Sequence, residues 1–250
     1  MILALATFLF HSAFALHIII DPGHGGTDTG AVVGSAKEAH IALEIAQRLK
    51  NELKKNPDIQ VTMTRETDLL LPLPDRVKIA EESKAELFIS LHANSAPDRR
   101  ARGMEIFFQN NLPPDEDSMY LANIENQINS QGPTENTKSE QLSSDAPSLT
   151  KQGDLVAIIE DLKRQHRMFD SIRLTKSLAE KMKFEKQTNV SIKQAPFFVV
   201  SKTKIPSTLI EVGFLTNSTE AKELQTAERQ NEIATKIAAA IFDFKEKFLK

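Results

Sequence analysis

Two histidines and two glutamates carry the chemistry this sequence can perform. His24 is flanked by Gly23, Gly25 and Gly26 after Asp21-Pro22, and His92 follows the apolar run Leu87-Phe88-Ile89-Ser90-Leu91. Glu38 opens an amphipathic stretch, and Glu211 stands in Leu209-Ile210-Glu211-Val212-Gly213. Two imidazoles and one carboxylate are the ligand set of a catalytic zinc, which keeps a fourth position open. A further carboxylate can take a proton from attacking water and pass it to a leaving amine. His24, Glu38 and His92 suit the first role and Glu211 the second. Taken singly, each has an ordinary explanation: a surface His in a Gly-rich turn, a helix-start Glu complementing the dipole, a structural His at a strand end, a strand-end Glu paired with a Lys.

These residues need a scaffold that brings them together, and the hydropathy pattern predicts one. Ile18 to Ile20 reads as a buried strand running into a turn, where Pro22 fixes its own φ and Gly23 permits φ > 0. His24 then lies on a loop at the carboxyl end of that strand, the place where open α/β sheets bind ligands. Ile41, Ile45, Leu49 and Leu53 predict a helix from Glu38 to about Lys55, with His40 on its surface. Further strands are expected at Ile59–Thr64, Glu86–Leu91 with His92 just past its end, Met104–Phe108, Phe197–Val200 and Pro206–Phe214 with Glu211 at its end. Helices are expected at Pro74–Ser83 and, closing the chain, at Glu220–Leu224 and Glu228–Phe248. Alternating strands and helices make the fold α/β: a mostly parallel twisted sheet of about six strands with helices on both faces. From about residue 110 to 173 the rhythm breaks into an insertion. Helices are expected at Asp115–Ser130 and Asp154–Phe184, joined by a polar, mobile linker from Ser130 to Lys151. Ser148-x-x-Lys151 and Ser201-x-x-Lys204 lack the partner motifs of penicillin-binding enzymes and receive no role.

The chain has 250 residues, net charge −3 and no cysteine. That length supports one domain with a good core. The charge gives no footprint for nucleic acid. Without cysteine there is no disulfide, no thiolate ligand and no Cys nucleophile, so a metal must be held by His and carboxylates. Met1 to Leu16 is apolar, too short to span a bilayer, and contains Ala13-Phe14-Ala15, an A-x-A-like site. It reads as a secretory signal peptide over residues 1–15, leaving a catalytic domain at 16–250 with no stable membrane span. The alternative is a buried first strand or helix.

Five motifs appear in order: Asp21-Pro22-Gly23-His24-Gly25-Gly26, Lys37-Glu38, Thr64-Arg65-x-x-Asp68, Phe88-Ile89-Ser90-Leu91-His92-Ala93-Asn94 and Glu211-Val212-Gly213-Phe214-Leu215-Thr216-Asn217. In this the chain resembles the zinc-dependent N-acetylmuramoyl-L-alanine amidases of the amidase-3 type, over nearly its whole mature length. The resemblance implies cleavage of the amide between the lactyl group of N-acetylmuramic acid and the first L-alanine of the peptidoglycan stem peptide. It implies Zn2+ held by His24, Glu38 and His92, Glu211 as catalytic glutamate, and a monomeric enzyme of the periplasm serving cell-wall remodelling and daughter-cell separation. Two other classes stay open: a different zinc hydrolase on the same scaffold, such as a carboxypeptidase, and a binding protein without turnover.

The insertion has a counterpart in periplasmic cell-division amidases, where a helix blocks the site until a LytM-type activator relieves it. Leu121-Ala122-Asn123-Ile124-Glu125-Asn126 resembles the blocking helix and Asp154 to Leu162 the activator-receiving segment. Leu121, Ile124, Glu125 and Ile128 share one helical face. A carboxylate in that apolar stripe needs a partner, and Glu125 is expected as an inhibitory ligand at the open zinc position; the alternative is a Glu that snorkels from the edge of a packed helix. The amino-terminal targeting domain of many relatives is not found, so septal targeting is expected to come from elsewhere.

Overall fold

Ile18, Ile19 and Ile20 are fully buried, as an unbroken β-branched run must be when both faces of a parallel sheet are covered. The computed structural model describes residues 15–110, 112–128, 151–183 and 189–249. Along them run β1 (Leu16–Pro22), β2 (Val32–Val33), β3 (Ala36–Lys37), α1 (Glu38–Leu53), β4 (Ile59–Met63), α2 (Leu73–Glu82), β5 (Leu87–Asn94) and β6 (Met104–Phe108). They continue with α3 (Glu116–Ile128), α4 (Lys151–Lys181), β7 (Val190–Gln194), α5 (Phe198–Lys202), β8 (Ser207–Phe214), α6 (Ser218–Leu224) and α7 (Ala227–Phe248). The expected signal peptide lies outside the described residues but for Ala15. The expected linker also lies outside them, but for Lys151, which begins α4.

Six strands form one sheet in the order β4-β1-β5-β8-β6-β7. All neighbours are parallel except β6 and β8, which are antiparallel. The period of two along a strand divides the core. Ile18 and Ile20 face a cluster with Ile45 and Leu49 of α1, Leu174 and Leu178 of α4 and Ile237 and Ile241 of α7. Ile19 and Phe88 face the other side, with Val77 of α2, Ala122 of α3 and Val199 of α5. Helices therefore cover both faces, as expected.

One expected strand is a helix. Phe197 to Val200 forms the cap and start of α5, and the strand of this region is β7, which ends three residues before Phe197. A short apolar run bounded by Pro suits either state, and burial under α2 and α3 selected the helix. Strand β7 sits on the sheet edge with its residues only partly buried, which blurs the alternation that marks a strand.

Helix α4 runs unbroken for 31 residues, so the expected limit of the insertion near Arg173 falls inside a continuous helix. Its last third packs in the core through Leu174 and Leu178. Its first half presents Leu155, Val156, Ile158, Ile159 and Leu162 to solvent, each 41–59 % exposed. Among the described residues no helix is long and apolar enough to cross a membrane.

Candidate metal centre

Strand β1 ends by donating Gly23 N–H to the Leu91 carbonyl of β5 (2.9 Å), and the chain then turns sharply at His24. His24 itself takes φ +55°, with Gly25 and Gly26 also at positive φ. Gly23 does not carry the positive φ; it is needed because a Cβ there would lie 2.4 Å from the His92 ring. Gly30, at φ +60°, is needed for both reasons, since a Cβ would meet Glu38 Oε2 at 2.6 Å and the His24 ring at 2.7 Å. Asp28 Oδ2 lies 2.9 Å from His24 Nδ1, and its Oδ1 accepts from Gly30 N–H (3.1 Å). That contact aims Nε2 of His24 inward, the carboxylate–histidine arrangement that orients metal-ligating imidazoles.

Glu38 is the first residue of α1. Its Oε2 accepts from Ala31 N–H (2.9 Å) and its Oε1 from Ala93 N–H (3.1 Å). Oε1 also lies 2.9 Å from His92 Nδ1 and 3.1 Å from His24 Nε2. The fourth arrival is Glu125 from α3, whose Oε2 is 3.3 Å from His24 Nε2 and 3.7 Å from His92 Nδ1. Donor atoms of His24, Glu38, His92 and Glu125 all fall within 4.8 Å of one another. A tetrahedral ion with bonds near 2.1 Å would set its ligands about 3.4 Å apart. His24 Nε2 is buried in this cluster without a hydrogen-bond partner among the described residues. Two imidazoles and two carboxylates so arranged fit a zinc ion. Electrostatics reflect the crowding. Burial works against charge on Glu38 and on His24, yet their mutual attraction outweighs it, holding Glu38 well below the carboxylate range and raising His24.

Two of the expected positions need correction. His92 does not lie past its strand but inside β5, and Glu211 stands in the body of β8 rather than at its end. The pair are direct register partners, and a shift between His92 and Asn94 lets both strands continue beyond them. Glu211 therefore does not project into open space. It is buried, flanked across the sheet by His92 and Glu105, and its Oε2 has no hydrogen-bond partner among the described residues. Burial, reinforced by Glu38, Glu125 and Glu105, raises its carboxyl well above the usual range. A cleft of about 620 Å³ opens beside the cluster, lined by Glu38, Asn94, Glu105, Leu121, Glu125 and Glu211.

Helix α3 is fixed to the scaffold at several points. Asp115 caps its start by accepting from Ser118 N–H (2.9 Å), and Ala122 is buried in the second core cluster. Asn126, next to Glu125, donates to the Pro196 carbonyl (3.0 Å) and accepts from Phe198 N–H (2.7 Å). The side chain of Ile128 lies outside the described residues. Burial raises the Glu125 carboxyl. His40, expected on the surface, is there, against Asp68 at 3.1 Å.

Sequence reasoning missed several supports. Asp28 was findable as an acid four residues from a His in a Gly-rich loop. Arg76 was not: nothing in the helix expected at Pro74–Ser83 singles it out, yet it is buried and pairs with Asp21 at 2.8 Å. Asp21 also accepts from Thr64 (2.6 Å) and Ser90 (2.8 Å). Burial raises the Asp21 carboxyl, but Arg76 and these hydrogen bonds outweigh it and bring it below the ordinary value. A depressed folded-state value means that the stability from Asp21 is present above about pH 4 and is lost as pH falls through that lower value. Asp21→Asn should thus destabilise the fold by about 3–5 kcal/mol, because Arg76 is left buried and unpaired. Melting temperatures of parent and variant should converge as pH is lowered from 7 to 3; a constant gap would refute this account of Asp21.

The N-acetylmuramoyl-L-alanine amidase family (Amidase_3) matches residues 18–243. Amidase AmiA of Escherichia coli K12 is 32 % identical over 230 residues, covering 91 % of this chain and 75 % of AmiA. Amidase AmiC of E. coli O6:H1 is 32 % identical over 229 residues, 90 % of this chain and 51 % of AmiC, so the chain spans about half the length of that relative. The CwlD amidase of Clostridioides difficile, solved in complex with the GerS lipoprotein, shares the fold with a TM-score of 0.66 at 23 % identity, over 92 % of this chain and 98 % of CwlD.

Proposed function

Since the chain belongs to the amidase-3 family of N-acetylmuramoyl-L-alanine amidases, we propose that it hydrolyses the amide joining N-acetylmuramic acid to L-alanine in peptidoglycan, in cell-wall remodelling and daughter-cell separation. The observation that carries this reading is the convergence of four donors, three buried and Glu125 half-buried, beside buried Glu211; among the described residues His24 Nε2 and Glu211 Oε2 have no hydrogen-bond partner. His24, Glu38 and His92 would hold a zinc ion. What zinc supplies when bound is Lewis acidity, toward the scissile carbonyl and toward water. Glu211 takes a proton from the attacking water and returns it to the departing nitrogen of L-alanine. The C–N bond breaks, leaving a lactyl carboxylate and a free amine. A carboxyl with a raised affinity for protons is suited to the second half of that exchange.

Glu125 would hold the ion's remaining position in the resting enzyme, so that α3 would exclude substrate. The solvent-facing apolar stripe of α4, within the segment resembling the activator-receiving one, suits a partner of the LytM type that draws the insertion aside. A periplasmic location after removal of residues 1–15 agrees with the substrate.

Mass spectrometry of digested peptidoglycan tests the reaction. Products should carry a free L-alanine amine and an unsubstituted lactyl group, and release should stop when a chelator removes the metal. Metal analysis should return one zinc per chain, lost in His24→Ala and His92→Ala together with activity. Cleavage elsewhere in the stem peptide would assign another hydrolase, and full activity in a metal-free sample would overturn the mechanism.

A further inference from the structure

The segment Thr64-Arg65-x-x-Asp68 holds no donor of the metal cluster. Several of its contacts fall on the end of β1 and the loop that carries His24. Thr64 donates to Asp21, and Asp68 accepts from Gly26 N–H (2.8 Å). Arg65 donates from Nε to the Pro22 carbonyl (3.0 Å) and from Nη2 to the Gly23 carbonyl (2.7 Å). Arg76 completes the set from α2: Nη1 reaches the Pro22 carbonyl (2.6 Å) and Nη2 the His24 carbonyl (2.7 Å). Three consecutive carbonyls thus end on two guanidinium groups that are only 2 % and 1 % exposed.

Successive carbonyls turned to one side lie outside any sheet ladder and, when buried, must find other donors. His24 at φ +55° keeps its conformation only if its surroundings over-determine it. A guanidinium does this well, because its planar fork can satisfy several acceptors at once, whereas an ammonium is a single point charge. Arg65 adds one more contact, from Nη2 to the carbonyl of Ala39 (2.8 Å). Ala39 follows Glu38 in the first turn of α1, so one side chain ties the His24 loop to the helix start that presents Glu38.

We propose that Arg65 and Arg76 are positioning residues for the metal centre: together they set His24 in its left-handed conformation and hold it in register with Glu38. The inference rests on the reading that His24 and Glu38 bind zinc. Neither arginine touches substrate or metal; both act through backbone carbonyls.

Arg76→Lys and Arg65→Lys, made in the full chain, test it. Three quantities are measured: zinc affinity by competition with a chromophoric chelator, the visible spectrum of the cobalt(II)-loaded protein, and the melting temperature of the metal-free protein. Zinc affinity should fall by about 10–100-fold in each variant, the range for outer partners of metal ligands, and the cobalt spectrum should change. The two losses should not add, since both act on one loop. A lower melting temperature with unchanged zinc affinity and an unchanged cobalt spectrum would make the arginines merely structural and overturn the proposal. Should Arg76→Lys fail to fold, Arg65→Lys decides on the same readouts. A parent protein that binds no zinc would bring down the metal reading and this inference with it; a parent that binds, with variants that bind equally well, brings down only the inference.

Discussion

Glu211→Gln should retain zinc and lose turnover by a factor of about 10²–10⁴, the range attributed to a positioned acid or base. The substitution keeps the shape of the side chain and removes only its capacity to exchange a proton. Glu211 is not one of the four converging donors, so its loss should leave the metal in place. The same variant should be no less stable than the parent. Glu38, Glu125 and Glu105 crowd the Glu211 carboxyl in a buried setting, and a neutral amide relieves that repulsion. Loss of activity with unchanged or higher melting temperature is the expected pattern, as at sites where function is held against stability. Metal content and muropeptide release, measured on one preparation, decide it. A variant that loses zinc would show Glu211 to be a ligand.

Glu125→Ala should do the opposite and raise activity without any partner. If Glu125 competes with substrate for one coordination position, removing it shifts the population toward open enzyme. Coupling energies between such elements are typically 1–3 kcal/mol, which corresponds to about 5- to 150-fold. The rise should be seen in basal peptidoglycan release, with zinc content unchanged because His24, Glu38 and His92 remain. Deleting residues 112 to 165 should act in the same direction. It also strips Ala122 from the second core cluster, so the point variant is the cleaner measurement. If both variants hold zinc and stay at the parent's basal rate, the helix does not plug the site.

Much of this architecture was legible before any coordinates. The isoleucine run of β1, the four-residue spacing in α1 and the closing amphipathic helix α7 are local patterns with one solution. The donors were legible as well, because a His after a buried run and a Glu opening a helix have few other uses when they recur along one chain. What escaped depends on contacts distant in sequence. His92 and Glu211 lie inside their strands because each strand lengthens the other by pairing, which neither hydropathy pattern contains alone. β7 was obscured by its edge position, and Phe197 to Val200 read as a strand although packing makes it the start of a helix. A buried Arg76 has no sequence signature, since its acceptors are carbonyls that become available only after β1 has turned at His24.

The uneven burial of α4 has an energetic consequence for any partner that binds its apolar stripe. The helix would be about 45 Å long at 1.5 Å per residue, but only its last third is held by the core. Most helical stability in proteins comes from packing of an apolar face, and the exposed half of α4 lacks that packing. A partner closing over Leu155, Ile158 and Leu162 would supply the packing this half of the helix lacks. An activating contact of the kind proposed above would therefore stabilise the very half of α4 that the core leaves bare.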